Sequence, residues 1–195
     1  EVSSDKPESR FQWVCDPIDG TLPYMLGIPT NLCSLALCED GQPIVAVIED
    51  PYLARTYSAT QGGGAFVNER RLAVSARTEL RGSLMNVSGR SRGDAAWGAA
   101  IYYDLERAGA EQLHHNSMVY EEILVASGMF DGAIFTKSTP WDAAAGALLV
   151  SEAGGRATDL HGRQQRYDRA IKGAIFSNGL LHDELQALVA PHIFD

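Results

Sequence analysis

Trp13-Val14-Cys15-Asp16-Pro17-Ile18-Asp19-Gly20-Thr21 is the stretch whose reading decides the fold. Phe11 to Cys15 is apolar and β-favouring and runs into a Pro/Gly turn, which predicts a short buried strand. Two carboxylates follow, Asp16 and Asp19, separated by Pro17 and Ile18. Pro17 fixes its own φ and biases Asp16 away from helical geometry. Gly20 then permits a sharp change of direction. Such a turn can aim both carboxylates, and a carbonyl between them, at one point. Carboxylates crowded together repel unless they share a proton or a cation, and hard oxygen donors suit Mg²⁺ or Mn²⁺. Thr21 adds a hydroxyl where a helix can begin, and N–H groups at such a start attract phosphate. The plain alternative for an isolated D-x-x-D is a surface Asx-turn after a strand.

The 195 residues around this stretch are enough for one large domain or two small ones. The net charge of −9, from 16 basic and 25 acidic residues, argues against a nucleic-acid-binding surface. A small anionic substrate stays compatible, because a bound cation reverses the local charge. Three cysteines, Cys15, Cys33 and Cys38, with no C-x-x-C pair, argue against a disulfide scaffold or zinc ribbon and favour a cytoplasmic location. No apolar run approaches the length of a membrane span, and Glu1 to Arg10 is too polar for a signal peptide.

Downstream, residues 22–30 suggest a turn of helix and a loop, punctuated by Gly27 and Pro29. Leu32 to Leu37 and Pro43 to Glu49 flank Asp40-Gly41 and predict a hairpin. The uniformly apolar Ile44 to Ile48 predicts burial on both faces. Gly62-Gly63-Gly64 lacks the G-K-[ST] ending of a phosphate-binding loop and is taken as a turn. Residues 75–82 are polar and place a sub-domain boundary near 80. In the loop 88–93, Arg90 and Arg92 are solvated, or one of them meets an anionic part of a substrate. His114 and His115 are adjacent and point different ways on a helix, so they are not read as a zinc pair. Helices are expected over 94–108, 117–127 and 182–189.

A second anchor is Pro140-Trp141-Asp142-Ala143-Ala144-Ala145-Gly146, continuing to Glu152-Ala153-Gly154-Gly155. Asp142 follows a Pro-Trp break and opens an Ala/Leu-rich helix, which predicts an N-cap. Gly146 inside that helix costs about 1 kcal/mol against Ala and implies close packing against a neighbour.

W-V-x-D-P-I-D-G-T and W-D-x-A-A-G…E-A-G-G, in that order, resemble the two signatures of the inositol monophosphatase family. These are Mg²⁺-dependent, often lithium-sensitive phosphomonoesterases, and their superfamily includes fructose-1,6-bisphosphatase. The resemblance implies an α/β fold, a layered α-β-α-β-α sandwich, divided into an N-terminal α+β sub-domain (1–80) and a C-terminal α/β sub-domain (81–195). It implies that Asp16, Asp19, Asp142 and the carbonyl of Ile18 hold Mg²⁺, with Mn²⁺ as the alternative. It also implies that Thr21, together with Asp19, orients the attacking water, that Gly20 and Thr21 cradle the phosphate, and that the protein is a homodimer. Glu1 matches the last residue of a Gly-Glu-Glu metal motif, so the chain resembles an N-terminally trimmed member. The resemblance also implies that Ser117 stands in the loop that meets the substrate in the family.

Leu22-Pro23-Tyr24 departs from the Asn and aromatic residue more often found there. Inositol-handling relatives carry a carboxylate shortly before the Trp-Asp pair. Residues 135–140 have none, and Lys137 there favours a substrate with an anionic or carbonyl group. The expected partner is therefore a small phosphorylated substrate: inositol phosphate, histidinol phosphate, a sugar phosphate or a bisphosphorylated nucleotide. The rival of another class is a non-catalytic binding protein with a degenerate metal site. A Gly-Glu-Glu upstream in the gene discriminates the two.

Overall fold

The computed structural model describes residues 9–88 and 96–193. Glu1, Arg90 and Arg92 lie outside them. Strands β1 (Phe11–Asp19), β2 (Leu32–Glu39), β3 (Gln42–Asp50), β4 (Arg55–Thr60), β5 (Gly64–Val67) and β6 (Arg70–Arg71) form a six-stranded sheet in sequence order. Every pairing in it is antiparallel. Helix α1 (Thr21–Leu26) links β1 to β2. The β2–β3 connection is a two-residue turn with positive φ at both Asp40 (49°) and Gly41 (79°). That geometry matches the twist of the flanking strands, which explains the D-G pair.

Strands β7 (Leu84–Ser88), β8 (Glu111–Gln112), β9 (Gly132–Phe135), β10 (Arg156–Thr158) and β11 (Ala174–Ser177) form a second sheet, ordered β10-β11-β9-β7-β8. Helices α3 (Met118–Ala126) and α4 (Pro140–Glu152) lie between the sheets and touch both. Helices α2 (Ala96–Arg107) and α5 (His182–Val189) cover the far face of the second sheet. The strand period of two divides β9 accordingly. Ala133 and Phe135 enter the core between the sheets, while Ile134 joins the cluster under α2 and α5. Among the described residues the layers are β-α-β-α, without the first helical layer of the expected α-β-α-β-α order, and the chain folds as an α/β sandwich.

Three expectations are corrected. β1 does not stop at Cys15 but runs through Pro17 to Asp19, with its register to β2 shifting between Asp16 and Asp19. A bulge tolerates proline, because residues inside it need no ladder hydrogen bond. Nor is β1 buried on both sides: Val14 is, whereas Phe11 and Trp13 are 49% and 59% exposed. β3 likewise buries Ala46 and Ile48 inward and turns Val45 and Val47 outward. The outward residues Trp13, Leu37, Val45, Leu35 and Val47 are cross-strand neighbours, and no described helix covers them. Finally, α4 starts earlier than expected. Thr139 is its N-cap, Pro140 occupies its first turn, and Asp142 is the third residue of a capping box.

Candidate metal centre

The bulge in β1 and the first turn of α4 meet. One carboxylate oxygen each from Asp16, Asp19 and Asp142 lies within 4.8 Å of the others, a cluster that the sequence reading named in full. Each carboxyl is held by its own local structure. Asp16 Oδ1 accepts the Ile18 N–H at 3.0 Å, the Asx-turn that the plain reading expected, here used to fix a cluster member. Asp19 is buried, and its Oδ2 accepts the hydroxyl proton of Ser117. Asp142 Oδ2 accepts both the N–H (2.9 Å) and the hydroxyl (2.7 Å) of Thr139. Ser34 Oγ donates to the Trp141 carbonyl at 3.2 Å and ties the start of α4 to β2.

The electrostatics of this arrangement favour a cation. Burial pushes Asp19 up to about 7; the Ser117 hydroxyl opposes this, and Asp16 and Asp142 add to it. Asp16 is raised too, by burial first, against the pull of the Ile18 N–H, and then by Asp142. Three acidic oxygen donors brought this close together are the donor set a hard divalent cation satisfies. The donors present therefore fit Mg²⁺ or Mn²⁺.

Gly20 joins β1 to α1 at φ 77°, a region costly for other residues. A Cβ there would also sit 3.0 Å from the Thr30 carbonyl and 3.1 Å from Ser117 Cβ. The glycine thus allows both the turn and the close approach of the α3 start to Asp19. Thr21 Oγ1 donates to the Ile18 carbonyl at 3.4 Å, so both groups named in the sequence lie at the same turn. Ser117 is the N-cap of α3, accepting the Tyr120 N–H at 3.1 Å while it donates to Asp19. Lys137 is itself exposed in the bend between β9 and α4, while its neighbours Thr136 and Ser138 are buried.

Sequence reasoning missed the supports. Glu121, fully buried on α3, accepts from the Asn86 amide and from the His115 N–H (3.0 Å) and so fastens the loop that delivers Ser117. His114 is held in the same network by Asn86 (2.8 Å) and Asn116 (3.0 Å). The glycine loop at 62–64 is filled by a carboxylate: Glu152 accepts from the N–H groups of Gly62 (2.7 Å) and Gly64 (2.8 Å). The T-x-x-D spacing of Thr139 and Asp142 at the start of α4 was a usable signal for the capping box. Nothing local marks Glu121, whose partners are all tertiary.

The family model for the inositol monophosphatase family matches residues 1–193. The chain belongs to the inositol monophosphatase family. Among curated relatives of this family member, a fructose-1,6-bisphosphatase/inositol-1-monophosphatase of Thermotoga maritima is 33% identical over 91% of this chain and 67% of its own length. A histidinol-phosphatase of Mycobacterium tuberculosis is 35% identical over 89% of this chain and 67% of its own. An IMPase structure from Thermotoga maritima superposes with a TM-score of 0.84 at 32% identity, covering 95% of this chain and 70% of that one. The chain spans between 56% and 67% of the length of the curated relatives it matches.

Proposed function

We propose that this inositol monophosphatase family member hydrolyses a small phosphate monoester at the Asp16–Asp19–Asp142 centre. The observation that carries the reading is the convergence of three carboxylates from two distant segments on one point. Asp16, Asp19, Asp142 and the Ile18 carbonyl would hold Mg²⁺, with Mn²⁺ as the alternative. Bound there, such an ion neutralises phosphoryl oxygens and acidifies water for in-line attack. The residues of the chain supply position. Asp16 and Asp142 are fixed by backbone donors, and Asp19 is fixed by Ser117. Thr21, at the β1–α1 turn, is the group we assign to orienting the attacking water, and Gly20 and Thr21 open the helix that faces the phosphate.

For the substrate, we favour a monoester bearing a second anionic or carbonyl group. Residues 135–139 offer no carboxylate to grip a polyol, and Lys137 is exposed two residues before the N-cap of α4. The histidinol-phosphatase relative keeps a heteroaromatic alcohol in view. The test is phosphate release with Mg²⁺ from full-length protein across inositol phosphate, histidinol phosphate, sugar phosphates and nucleoside bisphosphates. Release from at least one, lost with EDTA, is expected. Metal binding without hydrolysis of any of them would leave the non-catalytic reading standing.

A further inference from the structure

Glu122 lies on α3 and is fully buried, yet neither of its carboxyl oxygens has a hydrogen-bond partner among the described residues. It is aimed at Gly146 of α4. A Cβ at Gly146 would overlap the Glu122 carboxyl, so the glycine exists to admit it. Gly146 is four residues after Asp142, which places it one turn further along the same face of α4. Glu122 is five residues beyond Ser117, the residue that holds Asp19. The carboxyl therefore sits in the core below the metal centre, outside the group of three oxygens that forms it.

An orphaned carboxyl in an apolar core calls for an explanation, because an ionised one costs far more to bury than a neutral one. The charges that bear on it most are acidic: Asp19 from β1, Asp142 from α4 and Glu121 from its own helix. The buried Tyr167 hydroxyl, from the segment between β10 and β11, faces it as well. Burial and these neighbours hold Glu122 well above the usual carboxylate range, so with no cation present it is a neutral acid. A divalent cation at the cluster offsets two of those negative charges and so makes ionisation of Glu122 less costly.

We propose that Glu122 is a positioning residue of the metal centre: an interior carboxyl that gives up its proton as a divalent cation is taken up, and whose charge then helps to hold that cation. The proposal rests on the metal-centre reading above. The balance is simple: the O–H bond of Glu122 breaks, its electron pair stays on the carboxylate, and the proton passes to the buffer as the cation enters. Glu122 is buried from the surface, so it acts through the field at Asp19 and Asp142.

The test is calorimetric titration of Mg²⁺ into the full-length protein at pH 7, in two buffers of different ionisation enthalpy. This gives both Kd and the number of protons released. Glu122→Gln has the shape of the neutral acid and no proton to lose. It is expected to fold with an unchanged melting temperature in EDTA, to release close to one proton fewer than wild type, and to bind Mg²⁺ about tenfold more weakly. Glu122→Met, an apolar filler, should reproduce the proton deficit if the Gln variant folds poorly. Equal proton release and equal Kd in wild type and either folded variant would overturn the role of Glu122 alone. Failure of wild type itself to bind Mg²⁺ would overturn the metal centre, and this proposal with it.

Discussion

At the scale of single residues, the centre separates charge from scaffolding. Asp142 supplies a carboxylate to the cluster and also caps Thr139. Asn at this position keeps one acceptor for the cap but removes the charge. Asp142→Asn is therefore expected to lower Mg²⁺-dependent phosphatase activity at least ~100-fold, beyond what loss of a supporting partner costs a metal site. Its melting temperature in EDTA should stay within a few degrees of wild type. Wild-type turnover at saturating Mg²⁺ would remove Asp142 from the ligand set. Ser117 is different, because its hydroxyl both caps α3 and donates to Asp19. Ser117→Ala should cost about 1 kcal/mol of stability through the cap and weaken Mg²⁺ binding as well, whereas a mere cap would change only stability; urea unfolding and Mg²⁺ titration separate the two. Asp16 and Asp19 were legible in the sequence because spacing and turn chemistry are local, whereas Asp142, read locally as an N-cap, joined them only through the resemblance of its motif. The pairing of Ser117 with Asp19 was not, since 98 residues separate them.

At the scale of elements, the packing of α3 on α4 is set by one missing side chain. Gly146→Ala gains up to about 1 kcal/mol of helix propensity but drives a methyl group into the Glu122 carboxyl. A net destabilisation of about 1–3 kcal/mol is expected, as for other overpacked cores. The penalty should shrink when Glu122 is first shortened to Ala, so a double-mutant cycle by urea unfolding should show coupling between the two positions. Additive effects would mean that Gly146 and Glu122 do not meet. The sequence showed that Gly146 must pack closely but not against what. A glycine announces a close approach, and its partner is a tertiary fact. The start of α4 was misplaced for the opposite reason: a proline in the first turn was read as a break before the helix, when it belongs inside.

At the scale of the molecule, stability depends on pH through a buried histidine that anchors the C-terminal helix. His182 bridges the hydroxyls of Ser177 (2.8 Å) and Thr158 (2.9 Å) and joins α5 to β10 and β11. Burial lowers it to about 4, with a further push from Arg156 against the pull of Asp183. Its folded value lies below its unfolded value of about 6.5, so between the two the unfolded chain binds more protons. Stability from this group is complete above pH 6.5 and falls as the solution is acidified, by on the order of 3 kcal/mol at pH 4. Melting curves from pH 7.5 to 4.5 should show that decline in wild type and a flatter one in His182→Gln; parallel curves would place the acid sensitivity elsewhere. The α/β sandwich was legible through the resemblance of the two motifs, and one hairpin of the first sheet through its D-G turn. The division of β1 and β3 into a buried and an open face was not, because apolar residues occupy both faces of these strands.

The bulge in β1 has a consequence beyond chemistry. β1 forms the rim of its sheet, with β2 on one side and no described strand on the other. Unpaired rims of this kind invite a strand from another polypeptide, the first step of aggregation. Here the rim is spoiled along its last third: Pro17 offers no N–H, the register slips, and two carboxyl groups stand within four residues. A second chain reaching this rim would lose its ladder where the carboxyl cluster begins. The Asp16-Pro17-Ile18-Asp19 turn thus makes edge-to-edge pairing unfavourable here, and the geometry that gathers the carboxyls is the same geometry that refuses a neighbour.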